Sequence, residues 1–252
     1  MKKLVGSLLL IIGLGTCTYA GKLTVFAASD LKFALDDIKK EFVKINPNDE
    51  LEIIYGSSGK GMHQIENGAP YDIFFSANME FVEQLYKKGD VMTKPKMYAM
   101  GRIVLWSKNK NFVPEKGFEN LKAPWVQKIA IANPTHAPYG EKAKQAMEKL
   151  GIYESIKSKF VLGENISQTA GFIASEAADI GVIALSLALS PTIANTQNNK
   201  YFLIDGKLHE PLLQGYGITK VGSKKVLSRK FYDFMESKKA DSIMKKYGFI
   251  VE

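Results

Sequence analysis

Four short segments carry the side chains that could do chemistry: Ala28-Ser29, Ser57-Ser58-Gly59, Ala137-Pro138-Tyr139-Gly140 and Asn165-Ile166-Ser167. All are small and neutral, and either bear hydroxyls or are rich in glycine. Each lies between an apolar run of strand character and a stretch of helical periodicity. A helix starting in such a loop leaves its first N–H groups without an acceptor, and its dipole adds partial positive charge there. The chemistry on offer is therefore the holding of an anion by neutral donors. Serine hydroxyls add donors with little bulk. Pro138 has no N–H, so Tyr139 and Gly140 are the expected donors of their loop. Gly59 and Gly140 would let backbone approach a ligand closely. Taken singly, Ser29 or Ser58 reads as a helix cap. The recurrence of one composition at four places points to a shared anion site.

Other chemistries lack their residues. Gly56-Ser57-Ser58-Gly59-Lys60-Gly61 resembles a phosphate-cradling loop, but Ile54 stands where its first glycine belongs and no Ser or Thr follows Lys60. The Gly-x-Ser-x-Gly elbow of hydrolases is absent around Ser29 and Ser58. His63, His136 and His209 are far apart, with no metal-ligand spacing. His136 sits beside the candidate pocket; it reads as a surface histidine, the alternative being a residue that orients the loop. Asp36-Asp37 and the Asp233/Glu236 pair read as exposed helix positions, Trp106 and Trp125 as core or crossover packing. No nucleophile is paired with a base, so no catalytic residue and no enzyme activity is expected.

The elements that must position these loops repeat as strand, short loop, amphipathic helix, which implies α/β architecture with mainly parallel sheets. Strands are predicted over 23–26, 51–55, 71–76, 102–107, 128–132, 160–162, 180–184 and 215–219. Helices are predicted over 30–44, 79–88, 141–150, 167–177, 224–235 and 237–246, with a short one after Gly59. Leu31, Leu35, Ile38, Phe42 and Ile45 make one helical face, and Asp30 is the expected N-cap of that helix. Open parallel sheets take ligands beyond the carboxyl ends of their strands, where these loops lie.

The formal charge of +8 could suggest nucleic acid or anionic membranes. The lysines are scattered along helix faces, and aromatic residues do not interleave with them, so no nucleic-acid partner is expected. Lys2-Lys3, the apolar run 4–14 and Thr18-Tyr19-Ala20 read as an export signal spanning residues 1–20. The single cysteine, Cys17, lies inside it, which leaves the exported chain without a disulfide. Lipid anchoring at Cys17 is the less favoured alternative to a freely periplasmic protein.

At the four loops the chain resembles the periplasmic molybdate-binding proteins of ABC transporters. The likeness is carried by Leu-Thr-Val-Phe-Ala-Ala-Ser (23–29), Tyr-Gly-Ser-Ser-Gly (55–59), Gly-Ala-Pro-Tyr-Asp-Ile-Phe-Phe-Ser-Ala (68–77), Ala-Asn-Pro-Thr-His-Ala-Pro-Tyr-Gly (132–140) and Lys-Lys-Tyr-Gly-Phe (245–249). The resemblance implies a type II periplasmic-binding-protein fold with a ligand cleft between two lobes. Residues 22–101 with 206–252 would form one lobe and 102–205 the other. It implies capture of molybdate, and of tungstate as well, by the hydroxyl and backbone of Ser29 and Ser58 and by the N–H groups of Tyr139 and Ile166. Molybdenum would be held only as the oxyanion, with no direct metal ligand and no cofactor. A membrane permease of an ABC transporter would be the protein partner, and the chain a monomer. Some relatives add a tyrosine hydroxyl where this chain has Ala184. Tyr139, or the residue after Ser29, would have to replace it. Phosphate, sulfate and ferric iron are the alternative ligands, phosphate gaining weight if Asp30 faces the cleft.

Overall fold

The computed structural model describes residues 21–196 and 199–251; residues 1–20, on which the expectations of an export signal and of Cys17 anchoring fall, lie outside the described residues. The strands are β1 (Lys22–Ala28), β2 (Glu50–Gly56), β3 (Ile73–Ser76), β4 (Lys96–Gly101), β5 (Ile103–Trp106), β6 (Ile129–Ala132), β7 (Phe160–Gly163), β8 (Ile180–Ala184), β9 (Tyr201–Leu203) and β10 (Leu212–Ile218). The helices are α1 (Lys32–Ile45), α2 (Ser58–Glu66), α3 (Met79–Lys88), α4 (Pro138–Lys149), α5 (Tyr153–Ile156), α6 (Ile166–Ala174), α7 (Leu185–Ala188), α8 (Pro191–Ala194), α9 (Val226–Phe234) and α10 (Lys238–Lys246).

Two five-stranded sheets result, in the orders β2-β1-β3-β10-β4 and β7-β6-β8-β5-β9, each wrapped by helices to form a lobe. The chain leaves the first sheet at Gly101 and begins the second at Ile103. It returns after Leu203 and inserts β10 between β3 and β4.

These passages correct the expectation of mainly parallel sheets. β1 runs parallel to β2 and β3, and β6 to β7 and β8. β10 runs antiparallel to β3 and β4, and β5 to β8 and β9. β5 and β10 each enter their sheet from the other lobe, so no strand–helix–strand crossover within one sheet imposes a parallel direction on them. β4 and β9 were also not anticipated from the sequence.

Each sheet buries its own core. Leu23, Leu35, Ile38, Phe42, Phe75 and Tyr216 meet in the first lobe, so the predicted face of α1 is the buried one apart from Ile45, which is exposed. Trp106 is fully enclosed in the second lobe among Ile131, Met147 and Val182, and Trp125 packs at that core's edge. The C-terminus straps the passage between the sheets: Arg102 Nε and Nη2 donate to Gly248 O at 3.0 and 2.7 Å, and Met100 and Ile250 exchange backbone hydrogen bonds.

A charge fixes the start of β3. Asp72 is fully buried, and its Oδ2 accepts from Thr24 N–H and from the half-exposed Lys225 ammonium, both at 2.8 Å. Removing the cation leaves a buried carboxylate with only a backbone donor. Lys225→Met should therefore destabilise the protein by about 2 kcal/mol, between the worth of a surface pair and that of a buried one. A urea denaturation midpoint unchanged from wild type would contradict this.

Candidate functional site

The four loops end β1, β2, β6 and β7 and open, respectively, a 3-10 turn (Ser29–Leu31), α2, α4 and α6. They converge from both lobes on one small cavity of about 10 Å³. Ser29, Ser58, Tyr139 and Ile166 all line it, together with Asp30. Among the described residues no lysine or arginine lines this cavity. The positive potential there comes from helix starts alone.

The local structure decides which donors are available. Ser58 Oγ accepts the N–H of Ala77 at 2.9 Å, so its own proton must be aimed elsewhere, and the residue borders the cavity. Ser29 is different. Its hydroxyl donates to Asn165 Oδ1 at 3.1 Å and accepts from Ser167 N–H at 3.3 Å. Asn165 Oδ1 also caps α6 by accepting Gln168 N–H, which fixes the amide's orientation. The hydroxyl proton of Ser29 thus joins the lobes, and its main chain is what remains for a ligand. α4 begins at Pro138, earlier than the sequence suggested, because proline at the first helical position is pre-shaped for it. This places Tyr139 in the first turn. Gly140 N–H is already donated to Ala137 O, and a Cβ at Gly140 would strike Ala132 O. Gly59 likewise donates to His136 O and packs on it. Both glycines serve backbone-on-backbone contact, not approach to a ligand as expected.

Asp30 departs furthest from expectation. It caps no helix; it lies inside the 3-10 turn at 1% exposure. Its Oδ2 accepts from Tyr139 OH at 2.9 Å and from Gln214 Nε2 at 3.0 Å, while Gln214 also donates to Tyr139 OH at 2.9 Å. Asp30 Oδ1 has no hydrogen-bond partner among the described residues. Burial pushes this carboxyl up to about 6, against the opposing pull of the Tyr139 and Gln214 hydrogen bonds and of the Asp30 and Leu31 N–H groups. Burial, with the Asp30 charge, holds the Tyr139 hydroxyl well above its ordinary value. The tyrosine hydroxyl therefore serves the carboxylate. Ala184, where relatives were expected to carry a donor, only precedes α7, whose Ser186 Oγ donates to Asp30 O at 2.7 Å. Gly101, at the passage between sheets, packs directly on Tyr139 Oη and Gln214 Nε2, with no room for a Cβ.

The rim is also cross-linked. His136 is no surface histidine: its Nδ1 lies 3.0 Å from Ser57 Oγ and its Nε2 2.8 Å from Glu164, which Lys60 also reaches at 2.7 Å. Burial holds the imidazole below its ordinary range, Glu164 opposing and Lys60 adding to the effect. A serine, a histidine and a glutamate thus stand in line, a pairing not visible in the sequence. The serine comes from one lobe and the other two from the opposite one, and Glu164 is half exposed. With the Ser29–Asn165, Ser167–Ser29 and Tyr139–Asp30 bonds, these contacts describe a closed cleft.

The sequence profile of the bacterial extracellular solute-binding proteins matches residues 23–250. The molybdate-binding protein ModA of Azotobacter vinelandii is 32% identical over 94% of this chain and 93% of its own length. ModA of Rhodobacter capsulatus is 30% identical over 98% and 95%. The solved periplasmic molybdate-binding protein of A. vinelandii superposes with a TM-score of 0.84 at 31% identity, covering 91% of this chain and 99% of that one.

The raised Asp30 pKa has a stability consequence whose sign is unusual. The folded state holds this proton more tightly than an unfolded aspartate, so the contribution is present at low pH and lost as pH rises from about 4 through about 6. Asp30→Asn should remove that loss. Relative to wild type, the variant should gain about 3 kcal/mol in denaturant stability between pH 4 and pH 7. Parallel pH profiles for the two proteins would show that the carboxyl is not perturbed.

Proposed function

The chain belongs to the bacterial extracellular solute-binding proteins, and from that footing we propose how its cleft does the work: it captures molybdate for uptake by an ABC transporter. One observation carries this reading: neutral helix starts from both lobes line a single cavity without a cation. A dianion held by fixed dipoles avoids burying an unpaired charged side chain, and charge-assisted hydrogen bonds to it are about twice as strong as neutral ones.

In this reading the Ser58 hydroxyl and N–H, the Ser29 main chain, and the N–H groups of Tyr139 and Ile166 hold the oxyanion. Tungstate, nearly equal in charge and shape, enters the same cavity, and sulfate is discriminated by size. Residues 22–101 with 206–252 move against residues 102–205, bending near 100–102 and 203–206, so that the ligand is trapped as the Ser29, Tyr139 and His136 bridges form. The chain acts as an exported periplasmic monomer, with residues 1–20 as its signal and a transporter permease as its partner. Among the described residues no helix is long and apolar enough to cross a membrane.

The ferric-iron alternative needs clustered tyrosines or carboxylates; among the described residues no group of three or more His, Cys, Asp or Glu is placed to hold a metal, and the cavity's tyrosine, Tyr139, is bonded to Asp30. An enzymatic reading would rest on the Ser57–His136–Glu164 line. Its serine is 5% exposed in the joint between lobes, which suits a closure bridge better than a nucleophile.

Calorimetric titration with molybdate, tungstate, sulfate and phosphate tests the proposal. Molybdate and tungstate should release heat at micromolar concentrations or below; no response to either would sink it. Ser58→Ala should weaken molybdate binding by about 1.5–3 kcal/mol, the worth of a hydrogen bond to a charged group. Ser29→Ala should weaken it comparably, through the lost lobe bridge, and should also blunt the ligand-induced contraction seen by X-ray scattering. Unchanged affinity in both variants would place the site elsewhere.

A further inference from the structure

We propose that Asp30 supplies the anion site's last donor, so that the cavity takes up one proton with each fully ionised tetrahedral dianion and keeps it on Asp30 Oδ1. This rests on the oxyanion reading above and deepens it.

The geometry sets the problem. Asp30 lines the cavity, is almost wholly buried, and has one carboxyl oxygen satisfied and the other without a partner. From α4 the Tyr139 hydroxyl faces it, and from β10 the Gln214 amide. Tyr98 of β4 lies within electrostatic reach, and α7 contributes only Ser186, on the main-chain carbonyl. Burial holds both tyrosines well above their ordinary range, so both remain neutral. No cation is among these groups. A dianion placed in the cavity therefore meets an ionised carboxylate with nothing between them to offset the repulsion. Two like charges sharing a site cannot both stay ionised.

One proton resolves the conflict. On Oδ1 it removes the negative charge and turns an orphaned acceptor into an O–H donor. Oδ2 still accepts from Tyr139 and Gln214, so neither of those bonds is given up, and what is lost is the pull of the Asp30 and Leu31 N–H groups on the charged form. Burial already lifts this carboxyl to about 6, which makes the proton easy to acquire near neutrality. The count of protons then separates ligand classes. Molybdate, ionised throughout the neutral range, must draw its proton from solvent. Hydrogen phosphate carries one of its own and can donate it to the Asp30 carboxylate, with no net uptake.

The test is calorimetric titration of the whole protein with molybdate from pH 6.5 to 9, in buffers of different ionisation enthalpy. Near pH 8 the wild type should take up close to one proton per molybdate, and its Kd should rise by up to about tenfold per pH unit. Asp30→Asn keeps a donor at this position, so it should bind with no proton uptake and a flat pH profile. Tyr139→Phe removes a hydrogen bond that favours the carboxylate, so the onset of affinity loss should move to higher pH. This second variant decides the matter if Asp30→Asn does not fold. Molybdate binding without proton uptake in the wild type would overturn the proposal, as would an unmoved onset in a folded Tyr139→Phe. Loss of uptake in His136→Gln with retention in Asp30→Asn would assign the proton to the rim imidazole and overturn it too. Absence of molybdate binding at every pH would instead defeat the oxyanion reading on which it rests.

Discussion

A narrow, largely buried space between two lobes holds an excess of negative charge only where its oxygens are met by donors. That constraint organises this protein. The strands β1, β2, β6 and β7 end at a common place, four helix or turn starts meet there, and the side chains around it are neutral with one exception, Asp30. The exception is tied down harder than anything else at the site. Tyr139 and Gln214, from different elements, both spend their polar groups on one of its oxygens.

The same bonds that serve the carboxylate also join the lobes. Tyr139 belongs to the second lobe and Asp30 to the first, as do Asn165 and Ser29, and His136 and Ser57. Closure and ligand recognition therefore share residues. A substitution at Ser29 or Tyr139 changes the affinity for the closed state as well as any direct contact, so their effects would not add as those of independent sites do. Of the surface lysines, Lys60 takes part through its Lys60–Glu164 pair across the rim. Lys32, Lys40, Lys44 and Lys144 instead meet carboxylates on their own helix faces, where each pair is worth little.

Much of this was legible in the residue order. Loop composition marks the four segments that meet at the cavity, because helix starts announce themselves locally through small residues, proline and hydroxyls; the family resemblance singles out Ser29, Ser58, Tyr139 and Ile166 within them. The helical face of α1 and the strand of Ile180–Ala184 follow from periodicity in the same way. What was illegible depends on contacts between distant parts of the chain. Asp30 looks like a cap because its neighbours in sequence suit one; its burial is the work of Tyr139 and Gln214, more than a hundred residues away. His136 passes for a surface residue until Ser57 and Glu164 are brought to it. The strands β4 and β9 were missed for a related reason. β4 and β9 border the passages between lobes and are partly exposed, so their side chains lack the clean alternation that a half-buried strand shows.

The glycine at 101 ties these observations to how such a protein can diverge. It closes β4, begins the passage to the second lobe, and lies flush against the Tyr139 hydroxyl and the Gln214 amide. The smallest side chain there would act as a wedge between the strand that leads to the second lobe and the Tyr139 and Gln214 groups that hold Asp30. Positions 101, 139 and 214 are thus a single unit of variation. A substitution at any one of them acts on the surroundings of Asp30, and Gly101 does so without lining the cavity itself.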